Sequence, residues 1–388
     1  MSGATNAPPG AADTLVLTVG TTNLTGWQRV SVTRSLDQPP ATFDIQVTEK
    51  YPNTADVDVK PGQPCVVRIG SDLVITGYVD RYTSSVSAGQ HTVRIQGRSK
   101  SEDLIDCSAI MDTTSPTPHG QLVGGTALSI ARALAEPYGV TINSNAGDGA
   151  TVPFFNINLG ETPWEIIDRV VRYSQLIAYD LPDGSVLLAQ AGTDKMGSGF
   201  TVGQNCEAAD ITYAMDQRFS EYEGHFLTSM VMGTDMGINA PLVGKVVTDE
   251  GVPRFRKRYV ISEQTGLSLD LPYQRALWEC NRRKGRSQML SVTCDSWRDI
   301  NGKLWDLNHL APIKAPQLKL GSATWLIGSV NYVRDESGQH AQLVLMPPEA
   351  YQPEPVALMP LPRQLTDIHA VNNPTGGTGP SDTSRLNQ

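Results

Sequence analysis

Val67-Arg68-Ile69-Gly70-Ser71 leads into Leu73-Val74-Ile75-Thr76-Gly77-Tyr78-Val79, a polar turn, Gly89-Gln90-His91, and Thr92-Val93-Arg94-Ile95-Gln96-Gly97. Short β-branched runs bounded by Gly and Ser read as strands joined by tight turns. Near the C-terminus the pattern returns as Leu318-Lys319-Leu320-Gly321-Ser322, Trp325-Leu326-Ile327-Gly328-Ser329-Val330, a polar turn, Gly338-Gln339-His340 and an apolar run ending at Leu345. Gly70, Ser71, Gly77 and Val79 match Gly321, Ser322, Gly328 and Val330 without a gap, and the Gly-Gln-His triplet recurs after a turn two residues shorter. The repetition predicts two related β-modules in one chain.

Outward from the first copy, residues 14–112 read as one tube-like β-domain of short strands, a barrel or sandwich. Phe43, Ile45 and Val47 alternate with polar neighbours, the period of a half-buried strand. Pro39-Pro40 and Lys60-Pro61-Gly62-Gln63-Pro64 are turns. Residues 113–192 form a small α/β module. Ala127, Leu128, Ala131, Leu134, Ala135 and Tyr138 share a helical face, with Gly139 placed to end it. A second helix opens at Thr162-Pro163-Trp164-Glu165, an N-cap, a proline at the first helical position and a capping box, with Trp164, Ile167, Val170 and Val171 inward. Leu176–Asp180 and Ser185–Ala189 read as a hairpin.

Residues 193–286 start the second β-domain, with an excursion and a helix from about Pro272 to Lys284. Ala276, Leu277 and Cys280 mark its buried side, and Gly285 its end. Residues 287–350 complete that domain, with strands at Met289–Cys294, Leu318–Leu320, Trp325–Tyr332 and Ala341–Met346. Residues 1–13 read as a flexible arm, and residues 351–388 as a Pro/Gly-rich tail that only a partner would order. The fold class is mainly β with an α+β insert: two related tube-like β-barrel or sandwich domains and a two-helix α/β module.

The 388 residues allow about two to four domains. Thirty-five Gly and 26 Pro favour the many turns of β-rich folds. A net charge of −9 argues against gripping nucleic acid, because phosphate neutralisation needs clustered Lys and Arg. Five scattered cysteines (Cys65, Cys107, Cys206, Cys280, Cys294) contain no CxxC pair and read as buried free thiols of a reducing cytoplasm, not as disulfides or metal ligands. Met1–Ala12 lacks a basic start and an apolar core, so no signal peptide is expected. No apolar run approaches ~18 residues, so no membrane span is expected.

The chemistry-bearing motifs are missing: no GxGxxG opening a helix, no GxxxxGK[ST], no HExxH and no GxSxG. His91 and His340 sit at matching points of the repeat, which fits shared turn architecture better than a functional pair. Glu161, Glu165 and Asp168 cluster at a helix start, where carboxylates serve the cap and the macrodipole. A glycosidase would need two of them across a cleft. Arg254-Phe255-Arg256-Lys257-Arg258-Tyr259 is the one basic run with aromatics. Strand alternation puts Arg254, Arg256 and Arg258 on one face, a solvated or interface face in an acidic chain rather than a nucleic-acid patch. Met230, Met232 and Met236 read as core or interface filler.

Asn301-Gly-Lys-Leu-Trp-Asp-Leu-Asn308, Leu326–Val330 and the turn Asp335–Gly338 resemble the C-terminal β-domain of the baseplate hub proteins of contractile-tailed, Mu-like phages, relatives of the T4 hub and of the tail protein D family. Ile75–Asp80, Gly97–Lys100 and Asp103–Cys107 resemble the N-terminal domain of that family, and Thr126–Tyr138 with Leu159–Trp164 its middle module. The resemblance covers roughly residues 14–350. It implies a structural protein of the virion tail baseplate, assembled in the host cytoplasm and not an enzyme. Three subunits would form a homotrimeric ring of six similar β-domains that adapts the sixfold tail tube to the threefold central spike. Implied partners are the chain itself, the central spike protein, a tail tube or tube-initiator protein and baseplate wedge proteins. DNA would pass the lumen without specific binding. No catalytic, cofactor-binding or metal-ligating residue and no cofactor is expected. A tail-tip cell-wall (glycan) hydrolase or glycan-binding module is the alternative.

Overall fold

The computed structural model describes residues 13–49, 59–88, 90–110, 121–192, 194–227, 246–263 and 271–353. The first module contains β1 (Leu15–Val19), β2 (Thr22–Leu24), β3 (Arg29–Ser35), β4 (Thr42–Glu49), β5 (Pro64–Ile69), β6 (Asp72–Ser87) and β7 (Gln90–Ser99). Alternation fixes which face each strand buries. Val30 and Val32 of β3 and Phe43 and Ile45 of β4 point into one core, with Val47 packed against its margin. Gly70, at a φ of 60°, turns β5 into β6 in a conformation that suits glycine.

The small module follows as α1 (Glu102–Asp106), β8 (Gln121–Thr126), α2 (Ala127–Ala135), β9 (Ile142–Ser144), β10 (Thr151–Asn156), α3 (Pro163–Arg172), β11 (Ile177–Asp180) and β12 (Val186–Ala189). The reciprocal cap at the head of α3 is present. Glu165 N donates to Thr162 Oγ1 at 3.2 Å and Thr162 N donates to Glu165 Oε2 at 2.9 Å. Ile166, Ile167, Val170 and Val171 are fully buried, while Trp164 lies on the flank of the cluster. The expected inner face is therefore rotated toward Ile166, because positions 163, 166, 167, 170 and 171 form the continuous stripe.

The rest comprises β13 (Asp194–Lys195), β14 (Phe200–Thr201), β15 (Cys206–Tyr213), β16 (Glu221–Leu227), β17 (Val246–Thr248), β18 (Lys257–Glu263), α4 (Leu271–Arg286), β19 (Gln288–Cys294), β20 (His309–Ala315), β21 (Leu320–Asp335) and β22 (Gly338–Met346). Strands β17-β16-β18 make a separate sheet whose Tyr222, Val247 and Val260 pack on Ala276 and Cys280 of α4. Leu277, expected inward, is 39% exposed, since it follows Ala276 by one residue and so turns off the buried face. Gly285 does not end α4. It lies within the helix, where a Cβ would come within 2.6 Å of Ala350 N, so it is small to admit the neighbouring chain.

Fourteen strands form one sheet, ordered β15-β19-β22-β21-β3-β4-β7-β6-β5-β1-β2, with β13, β14 and β20 attached beside that path. Within it the two modules have the same topology. Five strands taken in chain order, β3 to β7, lie side by side as β3-β4-β7-β6-β5, and the five strands β15, β19, β20, β21 and β22 lie as β15-β19-β22-β21-β20. The long central strand is 16 residues in each, β6 and β21. Each carries one unpaired residue at the same distance from its hairpin tip, Asp80 before the Ser87–Gln90 pair and Gly328 before the Asp335–Gly338 pair.

This alignment corrects the register of the sequence repeat. Gly77, matched by sequence to Gly328, stands level with Trp325, three residues away. Gly70-Ser71 is a turn, whereas Gly321-Ser322 lies inside β21. The strand before β21 is His309–Ala315, not Leu318–Leu320. Leu318 sits in a short 3-10 turn and Leu320 opens β21. His91 is level with Gln339 and not with His340, and Gly89 lies outside the described residues. The physical reason is that Gly-Ser is equally at home in a tight turn and at a bulge.

Candidate functional site: a seam between modules and two open edges

The modules are joined strand to strand. The second half of β21 pairs antiparallel with β3, from Ser329–Ser35 to Arg334–Val30, just where β20 leaves the same edge of β21. The core is continuous across the joint, and Val30, Val32, Val330 and Tyr332 belong to one buried cluster. Burial of that apolar row stabilises the joint by about 25 cal/mol per Å² removed from water.

Beneath the joint runs a buried polar network. Arg34 is 3% exposed. Its Nη1 donates to Asp306 at 2.6 Å and its Nη2 to the Asp180 carbonyl at 3.3 Å. Burial works against the Arg34 charge, but the carboxylates of Asp306 and Asp180 outweigh it and raise the guanidinium's pKa above its ordinary value. Asp180, fully buried, accepts from Ala41 N at 2.9 Å and Ser99 Oγ at 2.6 Å. The Tyr332 hydroxyl donates to the Trp305 carbonyl. One network thus ties β3, β11, β21 and the loop before β20.

That loop is the Asn301–Asn308 motif. Trp305 fills the core beside Phe200, ring centres 4.5 Å apart, and Asp306 meets Arg34. Asn308 Nδ2 donates to the Gln190 carbonyl at 2.9 Å, while its Oδ1 accepts from Gly192 N at 2.7 Å. Two further arginines span the seam. Arg298 donates to Asp13 at 2.9 Å, Asp72 at 2.6 Å and the Ile69 carbonyl at 3.2 Å. Arg286 donates to Asp37 at 2.8 Å and to the Ala350 carbonyl at 3.2 Å. Tyr351 closes over Gly328, where a Cβ would stand 1.7 Å from its hydroxyl.

Trp305, Asp306 and Asn308 fall in a motif the sequence shows, whereas Asp180, Arg286 and Arg298 do not stand out in it. Arg34 gave one signal, because it shares the inward parity of Val30 and Val32 in β3. At the end of β7, Arg98 binds Asp80 at 2.6 Å and Asp106 at 2.8 Å. Glu102, beside them, is pushed up from 4.5 to about 7, first by burial and then by the Asp80 charge, with Arg98 opposing.

The residues weighed for chemistry are dispersed. His91 Nε2 lies 2.7 Å from Ser84 Oγ, and His340 Nδ1 lies 2.9 Å from Glu207. Glu161 accepts from Arg169 at 2.8 Å and from Asn158 N at 2.9 Å, Glu165 caps α3, and Asp168 pairs with Arg172. The basic run is extended only from Lys257 onward, so the strand alternation expected from Arg254 does not hold there. Three of its four charges are engaged within the chain. Arg256 donates to the carbonyls of Met215 and Asp216 at 2.7 Å each, Lys257 pairs with Glu223 at 2.5 Å and Arg258 with Glu279 at 2.9 Å. Met230, Met232 and Met236 lie outside the described residues. Among the described residues the five cysteines are free thiols, no group of His, Cys, Asp and Glu could hold a metal ion, and no helix is long and apolar enough to cross a membrane.

Besides the outer sides of β2, β13 and β14, two strand edges of the large sheet stay open among the described residues. β15 pairs with β19, and its other edge has only a single bridge, from Cys206 to Val202. β6 pairs with β5 as far as Tyr78, and from Arg81 to Ser87 the same edge has no strand beside it.

Three family models match in sequence order: the N-terminal domain of the Mu phage baseplate assembly protein GpP-like family over residues 14–99, the second domain of the baseplate hub protein gp44-like family over 101–190, and the fourth domain of the Mu phage baseplate assembly protein GpP over 269–354. The baseplate hub protein gp44 of Escherichia phage Mu is 29% identical over 337 residues, which is 84% of this chain and 86% of that protein. The 43 kDa tail protein of prophage MuSo2 from Shewanella oneidensis superposes with a TM-score of 0.78 at 28% identity, covering 89% of this chain and all of that one. An E. coli component of the type VI secretion system, described as structurally similar to the T4 tail proteins gp27 and gp5, shares the fold at a TM-score of 0.53 and 11% identity, over 89% of this chain and 80% of its own. With three baseplate-protein domains in order, a match over most of the chain to the Mu baseplate hub protein and another to the MuSo2 prophage tail protein, the chain belongs to the baseplate hub family of Mu-like, contractile-tailed phages.

Proposed function

We propose that this chain is a structural hub of the tail baseplate, in which three copies form a ring of six similar β-modules. One face of the ring continues a sixfold tail tube, and the other receives a threefold central spike. The observation that carries this reading is the identical strand order of two modules fused through one continuous sheet. A closed ring needs matched patches on every subunit edge, and a duplicated module lets a trimer offer six near-equivalent ones. The net charge of −9 suits a lumen through which DNA slides without binding. The chain has no catalytic role in this reading. The helix-start carboxylates that a glycan hydrolase would use are engaged in a cap and two ion pairs, so no observation favours that alternative. The tube, its initiator, the spike and the wedge proteins are the proposed partners.

Native mass measurement of the full chain at micromolar concentration tests the reading. A species of three chain masses is expected, and a strictly monomeric protein would overturn it.

A further inference from the structure

The intramolecular seam is a template for a second joint. Where β3 lies on the second half of β21, the equivalent strands of the other pairing are β15 and the second half of β6. Both are the open edges described above, and each is open along the stretch that is covered at the seam. Neither stretch, Ala208–Tyr213 or Arg81–Ser87, contains the Pro or Lys that commonly keeps an exposed edge from pairing, and each carries a single charge, Asp210 or Arg81, near a bulge. Both also display apolar side chains to solvent. Tyr213 is 58% exposed and Val86 is 79% exposed.

The register follows from the equivalence of the modules. Hairpin tips and bulges place Ser329 level with Arg81, and the ladders through β4–β7 and β19–β22 place Ser31 level with Asp210. Carrying the seam pairs across gives Arg81 opposite Ala214, Thr83 opposite Thr212, Ser85 opposite Asp210 and Val86 opposite Ala209. The sheet's outer face then presents a Thr–Thr pair. On the core face Val86 meets Ala209 and Tyr213 meets Tyr82, so both exposed apolar side chains are covered.

We infer that β15 of one copy adds antiparallel to the outer edge of β6 in a second copy of this chain, in this register, so that the seam inside each subunit is repeated between subunits. The inference rests on the ring reading above and names the surface that closes it.

The test is a cysteine pair in the full chain, Thr83→Cys with Thr212→Cys, in a Cys107→Ser background. Both threonines are exposed, and the other four native thiols are buried. Directly opposed strand residues come within disulfide reach, whereas a one-residue slip sends the side chains to opposite faces. Oxidation is expected to give intermolecular dimers and trimers on a non-reducing gel, at least about tenfold more than the slipped pair Thr83→Cys with Tyr213→Cys. A trimer by native mass that links neither pair, or both equally, overturns this pairing and leaves the ring reading standing. A monomer that links neither overturns both.

Discussion

The two β-modules share a strand order but close differently, and the difference shows what each edge is for. In the first module the outer strand β5 is covered by the antiparallel hairpin β1–β2. In the second, β20 is covered by two short parallel bridges from β13 and β14. The sharper contrast lies at β3 and β15. The first is sealed by β21 above a buried Arg34–Asp306–Asp180 network, while the equivalent strand stands open with Tyr213 where Arg34 would be. A duplicated fold thus keeps its topology and changes its chemistry position by position. The internal joint uses buried charge that need never come apart. The open edge carries polar and aromatic groups that tolerate water.

The largest expected effect breaks the contrast at its sealed side. Arg34→Ala leaves the Asp306 carboxylate without its cation and the Asp180 carbonyl without its donor, and should cost about 3–5 kcal/mol in denaturant unfolding. Tyr213→Ala at the equivalent open position should cost under about 0.5 kcal/mol in the isolated subunit while weakening assembly. Equal losses at the two positions would remove the distinction.

Glycines of the two central strands give the next effect. A Cβ on Gly77 would lie 1.8 Å from the Arg98 carbonyl, which the ladder holds in place, whereas one on Gly328 meets the far end of the Tyr351 side chain. Gly77→Ala should cost about 3 kcal/mol and Gly328→Ala about 1–2 kcal/mol, read from thermal unfolding. The reverse order would show that Tyr351 is the more rigid neighbour.

Glu102, at the start of the small module beside the end of β7, gives a pH-dependent effect. Its folded pKa of about 7 exceeds the ordinary 4.5, so the folded state holds a proton that the unfolded chain has released across that window. The contribution is full below the window and is lost as pH rises through it. Glu102→Gln should flatten this slope and stabilise the protein at pH 8 by roughly 1–2 kcal/mol, measured as unfolding midpoints against pH. An unchanged slope would mean that the carboxyl is ionised throughout. At the cap of α3, Thr162→Ala should cost about 1 kcal/mol in the same unfolding measurement.

What local pattern can encode was legible: the alternation at Phe43 and Ile45, the capping box at Thr162 and Glu165, the left-handed Gly139, and the presence of two hairpins. What depends on distant pairing was not. The repeat was read three residues out of step, because glycine serves a turn at Gly70 and a bulge at Gly328 with the same local chemistry. The pairing of β3 with β21 joins residues from opposite ends of the chain, so no local period announces it. Arg34, Asp180 and Asp306 are ordinary charges in the sequence and become a site only when three separate segments converge. The acids at Glu161 and Glu165 were legible for the opposite reason, since a cap is a local device.

On the proposed reading, the seam within one chain is repeated between the chains of a ring. Averaged electron micrographs of the purified full-length chain, viewed down the axis, decide it. Closed threefold rings with six near-equivalent lobes are the expected result, and isolated two-lobed particles would contradict it.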